Sequence, residues 1–187
     1  MRIVSGRYRG RALTAPEGQA TRPTSDRARE AVFNVLEHAA WSPGLADARV
    51  IDLFAGSGAL GLEALSRGAA FCLFVDHDPA AEAAVLANLG ALGLGDRARV
   101  LRRDASRLGA RSSADGPAFD LAFLDPPYTK GLAEAALTSL ADGAWLAPGG
   151  LVIAERGADE PELKPDGYEI LDDRRWGAAR VWFLRTG

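Results

Sequence analysis

The chain has 187 residues, 48% hydrophobic and 25% charged, with a formal net charge of −3, which suits one globular domain (residues 1–187) and is too short for two comfortable ones. A single cysteine (Cys72) and two histidines (His38 and His77) exclude an internal disulfide and argue against a Cys/His zinc site, so no metal is expected. No apolar run reaches bilayer length and the basic first residues have no apolar stretch behind them, so a cytoplasmic protein with no membrane partner is expected.

Residues 1–30 carry Arg2, Arg7, Arg9, Arg11, Arg22, Arg27 and Arg29 against Glu17, Asp26 and Glu30, a local balance of +4 that leaves −7 for the remainder. A phosphate-binding arm on an acidic body fits this asymmetry. A solvated surface biased to arginine fits it as well, since the chain has only two lysines. Residues 1–13, around Gly6 and Gly10, read as a short hairpin, and 14–24 as a loop. A helix starts at Ser25 or Asp26, both good N-caps, and carries Ala28, Ala31, Val32, Val35, Leu36 and Ala39 at helical spacing.

A regular alternation follows. Strands are expected at 49–55, 71–76, 99–104, 120–125 and 150–156, and helices at 59–68, 79–92 and 131–142. Pro79 suits the first position of its helix. The segments 168–176 and 179–185 read as a closing hairpin. Alternating strands and helices predict a mostly parallel sheet with helices on both faces. Ligands of such sheets bind at the carboxyl ends of the strands.

Four acidic features fall at those ends. The stretch DLFAGSGALG (52–61) follows the first strand and contains Gly56-x-Gly58-x-x-Gly61. Asp76 ends the second strand, Asp104 the third, and Asp125-Pro126-Pro127-Tyr128 the fourth. The glycines let a ligand approach the backbone, and Asp76 stands 20 residues past Gly56, where a carboxylate accepts from ribose hydroxyls. NAD and its rivals fit these two features equally. Asp52 beside the loop is unhelpful for a pyrophosphate and suits a positive amino group, as in S-adenosyl-L-methionine. Asp104-Ala105 can pair with an adenine, or Asp104 can simply cap a helix.

The two prolines end the fourth strand and present a rigid turn. The Asp125 carboxylate and the Pro126 carbonyl can hold the two N–H groups of a nucleobase amine and offset the charge that develops as it is methylated. Tyr128 can stack on an unpaired base. Cys72 and the tryptophans Trp41, Trp145, Trp176 and Trp182 read as packing, His77 as a flank of the ribose pocket, and His38 as a helix-end residue.

These residues resemble the class I S-adenosylmethionine-dependent methyltransferases with a DPPY motif. More narrowly, RIVSGRYRGRAL (2–13), RPTSDRAREAVFNVL (22–36), DLFAGSGALGLEALSRGA (52–69), DHDPAAEAAVLANL (76–89), RRDA (102–105) and DPPY (125–128) resemble the RsmD family of bacterial 16S rRNA guanine-N2 methyltransferases. The resemblance implies a Rossmann-like, mostly parallel α/β sheet with an antiparallel C-terminal hairpin and a basic N-terminal extension (1–40) that contacts RNA. It implies action on 16S rRNA in the small ribosomal subunit or its assembly intermediate; a monomer is expected. Asp52, Phe54, Gly56, Gly58, Asp76, His77, Asp104 and Ala105 would hold S-adenosyl-L-methionine. Asp125, Pro126, Pro127 and Tyr128 would be catalytic. Arg7, Arg9, Arg11, Arg22, Thr24 and Arg27 would bind RNA. Rival readings are an adenine-N6 or cytosine-N4 enzyme acting on DNA or another RNA, an NAD-dependent dehydrogenase, and a non-catalytic assembly factor.

Overall fold

In the computed structural model of the chain, residues 1–18, 26–128 and 131–187 are described. The expected alternation is present: α1 (Asp26–His38), β1 (Arg49–Leu53), α2 (Ala59–Ser66), β2 (Phe71–Asp76), α3 (Pro79–Leu92), β3 (Ala98–Arg102), β4 (Phe119–Leu124), α4 (Leu132–Asp142), β5 (Leu146–Gly157), β6 (Tyr168–Trp176) and β7 (Ala179–Thr186). The seven strands form one sheet in the order β3-β2-β1-β4-β5-β7-β6. The first five strands pair in parallel, while β7 pairs antiparallel with both β5 and β6. The order reverses between β1 and β4, and a crevice opens outside the carboxyl ends of two such strands.

The parallel strands are near-continuous apolar runs because both faces are covered. Val50, Phe74, Phe123 and Ile153 join a cluster under α1, α2 and α3. Their alternating neighbours Ile51, Val75, Leu124 and Val152 join a second cluster under α4. Each such side chain contributes about 1.5–3 kcal/mol through burial. Among the described residues no helix is long and apolar enough to cross a membrane.

Several boundaries depart from the sequence expectation. β1 ends at Leu53 because Phe54 takes φ 59, which a strand cannot continue. β3 ends at Arg102, so Asp104 lies past the strand. β5 starts at Leu146 rather than 150, taking in Pro148-Gly149-Gly150, and the register against β4 shifts between Phe119 and Leu121. The short N-terminal hairpin is present, with an antiparallel bridge from Arg2 to Ala12 and backbone bonds from Ile3 N–H to Arg11 (3.0 Å), Gly10 N–H to Ile3 (2.8 Å) and Leu13 N–H to Met1 (3.1 Å).

Glu63 of α2 is fully buried, and its carboxylate accepts from the N–H groups of Val4 (2.8 Å) and Ser5 (2.9 Å). It also pairs with Arg67 (2.9 Å) and lies 3.6 Å from the guanidinium of Arg29, itself 1% exposed. Arg29 donates in turn to the Arg2 carbonyl. Ser66 adds a second attachment, its carbonyl accepting from Arg7 N–H (2.8 Å) and its hydroxyl from Tyr8 N–H (3.0 Å). Gly6 makes this approach possible, since a Cβ there would stand 2.0 Å from the Ser66 carbonyl oxygen. Removing one member of a buried ion cluster strands its partners, at about 3–5 kcal/mol. Glu63→Ala should lower unfolding free energy by that amount in urea titration and expose the arm's arginines to trypsin. A loss within about 0.5 kcal/mol, typical of surface positions, would contradict this account.

Candidate active site

The turn between β1 and α2 is set by backbone geometry and two carboxylates. Phe54, Gly56 and Gly58 have φ of 59, 56 and 79. Asp52, 1% exposed, accepts from Gly61 N–H (2.9 Å) and so ties the strand to the first turn of the helix. Asp76 accepts from Gly56 N–H (2.9 Å) through one oxygen and from Asp78 N–H (3.0 Å) through the other. The glycines differ in their reasons. At Gly61 a Cβ would meet Phe74 Cε1 at 2.4 Å and Cys72 Sγ at 2.6 Å, so the helix needs glycine to pack on the sheet. At Gly56 a Cβ would have only the Phe54 carbonyl within reach, at 4.0 Å, so space lies open at the loop.

Burial pushes the Asp52 carboxyl well above the ordinary carboxylate range; the Gly61 N–H partly offsets this, and the charges of Asp125 and Asp76 push it further up. Asp52, Asp76 and Asp125 thus form one electrostatic group. Such a group favours a cation and opposes a diphosphate, which disfavours NAD at this loop.

Asp76 ends β2 as expected, with the exposed His77 beside it, Nδ1 3.7 Å from the carboxylate. Asp104 lies two residues past the end of β3, and of its two expected roles the cap is present. It caps a short 3-10 turn, Ala105–Arg107, accepting from the Ser106 hydroxyl (2.7 Å) and N–H (2.9 Å). Those bonds, with Arg107 and His77 nearby, hold its carboxyl below the ordinary range. It stays on the same rim because Arg103 N–H donates to the Asp76 carbonyl (2.9 Å). Ala105 is buried at the start of the turn.

Asp125-Pro126-Pro127-Tyr128 leaves β4 directly beside the glycine turn. Leu124 pairs with Leu53 as the last pair of the two strands, about 5 Å apart, so the turns that begin at Asp125 and Phe54 start side by side. Asp125 is half-buried, Pro126 buried, and Pro127 and Tyr128 exposed. The Tyr128 ring faces the end of β5, where a Cβ on Gly157 would lie 3.7 Å from Tyr128 Cδ1.

The basic arm divides. Arg7, Arg9, Arg11 and Arg27 are exposed, with Arg7 held at the C-terminal end of α2, about 12 Å along the helix from the glycine turn. Arg22 and Thr24 lie outside the described residues. The other end of the arm meets the turn through Asn88, which sequence reasoning missed. Its side chain accepts from Thr14 N–H (2.8 Å) and donates to the carbonyls of Thr14 (3.0 Å) and Ser57 (2.9 Å). A lone amide in the otherwise apolar second half of α3 was the available signal. Cys72, Trp145 and Trp182 are core, Trp41 packs 5.5 Å from Phe183, and His38 bonds to its own helix at the Asn34 carbonyl. Among the described residues no group of His, Cys, Asp and Glu could hold a metal ion.

The strand order, the antiparallel end and the glycine turn together define a class I methyltransferase fold. Residues 1–185 match the family described as "Conserved hypothetical protein 95". Ribosomal RNA small subunit methyltransferase D of Escherichia coli (strain K12) is 41% identical over 155 residues, 83% of this chain and 74% of that protein. Its namesake in Haemophilus influenzae is 34% identical over 177 residues, 95% of this chain and 89% of that protein. The solved Escherichia coli protein yhhF superposes with a TM-score of 0.82 at 34% identity, covering 100% of this chain and 97% of that one. A hypothetical protein of Thermus thermophilus superposes at 0.74 with 32% identity and 98% coverage of both. The chain belongs to this family, the RsmD family that its motifs resemble.

Because Asp52 binds its proton more tightly folded than unfolded, its contribution to stability is lost as pH rises from the ordinary carboxylate range through the raised value. Asp52→Asn removes that slope. Urea unfolding across this interval should show the variant gaining on the parent chain as pH rises; parallel curves would contradict the assignment.

Proposed function

We propose that the chain transfers a methyl group from S-adenosyl-L-methionine to the exocyclic N2 of a guanine in small-subunit rRNA, within the subunit or its assembly intermediate. The observation that carries this reading is the adjacency of two turns at the sheet's reversal point: the glycine turn after β1 and the Asp125–Tyr128 turn after β4. One is suited to a cationic nucleoside and the other to an amine on a flat base.

The residues present fit the methyl donor. Asp76, bonded to the Gly56 N–H, would accept from the ribose hydroxyls, with His77 at the rim. Asp104 and the Ala105 N–H would meet the adenine, Gly56 and Gly58 would let the backbone approach, and Phe54 would line the wall. Asp52 stands in the carboxylate group that a ligand's positive charge would offset. When bound, the donor supplies a methyl carried on a positively charged sulfur.

The acceptor is an amine whose lone pair is conjugated with the base. The Asp125 carboxylate and the Pro126 carbonyl would each take one of its N–H groups, turning the lone pair toward the methyl and offsetting the charge that grows on nitrogen. Pro126 and Pro127 limit the turn's freedom, so little reorganisation is needed. Tyr128, 46% exposed, would stack on the base, a contact worth about 1–3 kcal/mol. Held by Asp125 and Pro126, the methylated nitrogen would give up its surplus proton to water. Arg7, Arg9, Arg11, Arg22, Thr24 and Arg27 would hold phosphates of the RNA.

Two outcomes are expected. Asp125→Ala should abolish methyl transfer to small subunits while calorimetry still finds S-adenosylhomocysteine bound; weakened cofactor binding with normal turnover would overturn the role. Replacing Arg7, Arg9 and Arg11 by alanine should weaken RNA binding and flatten its salt dependence, by about one unit of log–log slope for each phosphate no longer bound. An unchanged slope would remove these arginines from the interface.

A further inference from the structure

We propose that Arg156 is a positioning residue for Tyr128: with Glu134 and Glu160 it ties α4 to the end of β5 on which the tyrosine ring lies, and so fixes where the substrate base stacks. The proposal rests on the methyl-transfer reading above.

Arg156 is the penultimate residue of β5 and only 4% exposed. Its guanidinium serves two carboxylates at once. One nitrogen reaches Glu134 Oε1 at 2.8 Å; Nε and another nitrogen reach Glu160 Oε2 at 3.1 and 3.0 Å. Glu134 lies in the first turn of α4, six residues past Tyr128 in the chain. Glu160 uses its other oxygen to accept from Gly157 N–H at 3.0 Å. Gly157 is the residue whose bare Cα faces the Tyr128 ring. The contacts therefore run in one line from Glu134 of α4 through Arg156 and Glu160 to Gly157, beside the Tyr128 ring.

A cluster of one buried arginine and two partly exposed carboxylates is a poor source of stability, because desolvation and solvent screening cancel most of the attraction. Its geometric value is greater. A planar fork can hold two carboxylates in fixed directions, which the point charge of a lysine cannot reproduce. The clamp ties together two elements, α4 and the end of β5, that the sheet alone does not connect. A stacking ring displaced by an ångström would carry the base, and its amine, out of line with the methyl group.

The test is a double-mutant cycle in single-turnover methyl transfer from labelled S-adenosyl-L-methionine to small subunits of cells lacking the activity. Arg156→Lys and Glu134→Gln are each made in the parent chain and in Tyr128→Ala. Either substitution should slow transfer about 10- to 100-fold in the parent chain. S-adenosylhomocysteine affinity should be unchanged. In the Tyr128→Ala background the same substitutions should change the rate by less than about twofold, because the ring they position is gone. Equal losses in both backgrounds, or no loss in the parent, overturn the clamp. If Arg156→Lys does not fold, Glu134→Gln, which leaves the Arg156–Glu160 pair in place, carries the same cycle. Absence of transfer by the parent chain itself overturns the functional reading and the clamp with it.

Discussion

The hydrogen bond from Gly61 N–H to the buried Asp52 carboxylate constrains everything around it. The chain leaves β1 deep in the sheet and must start a helix within six residues, with Gly61 pressed on Phe74 and Cys72. That close approach needs a missing side chain at Gly61, left-handed backbone at Gly56 and Gly58, and a partner for a helix N–H that water cannot reach. Asp52 supplies the partner from inside the strand. Asp76 supplies a second from β2, fixing Gly56. The turn is thus shaped before any ligand arrives, and the two carboxylates that shape it also make it electronegative. Structure and ligand preference come from the same atoms.

The same helix organises the other side of the molecule. Glu63 and Ser66 face away from the cleft and fasten residues 4–8 to α2, while Asn88 fastens Thr14 to the glycine turn. The basic segment is therefore not an appended tail. Its backbone completes the hydrogen bonding of side chains that would otherwise be buried without partners. Arginines on this segment ride on a scaffold continuous with the turn that faces the cleft, so a contact made at one is made at a fixed distance from the other. An acidic body with a basic edge is consistent with a partner that presents phosphates on one side only.

Much of this was legible in the residues, for identifiable reasons. Apolar runs such as FCLFVD can only be buried parallel strands when amphipathic helices lie between them, and the reversal of strand order puts their ends in one crevice. Pro79 and Gly93 mark the ends of α3 by the backbone conformations they favour. What stayed hidden depends on contacts between residues far apart in the chain. Nothing local to Glu63 says that it is fully buried beneath residues 58 and 59 positions away. Arg156 and Glu160 read as ordinary surface charges until β5 and α4 are brought together. The end of β3 was not legible: the strand stops at Arg102, and the Asp104 carboxylate caps the following turn, as one of its two sequence readings has it, because Ser106 offers it two donors.

The central claim is that a cationic methyl donor and a guanine amine meet where β1 and β4 end. The most direct test incubates the protein with labelled S-adenosyl-L-methionine and small ribosomal subunits from cells lacking this activity, then maps the labelled base. The account predicts label on the exocyclic nitrogen of one guanine in the small-subunit RNA. Label on a different base would keep the chemistry and contradict the substrate, and cofactor bound with no label on any base would contradict the account as a whole.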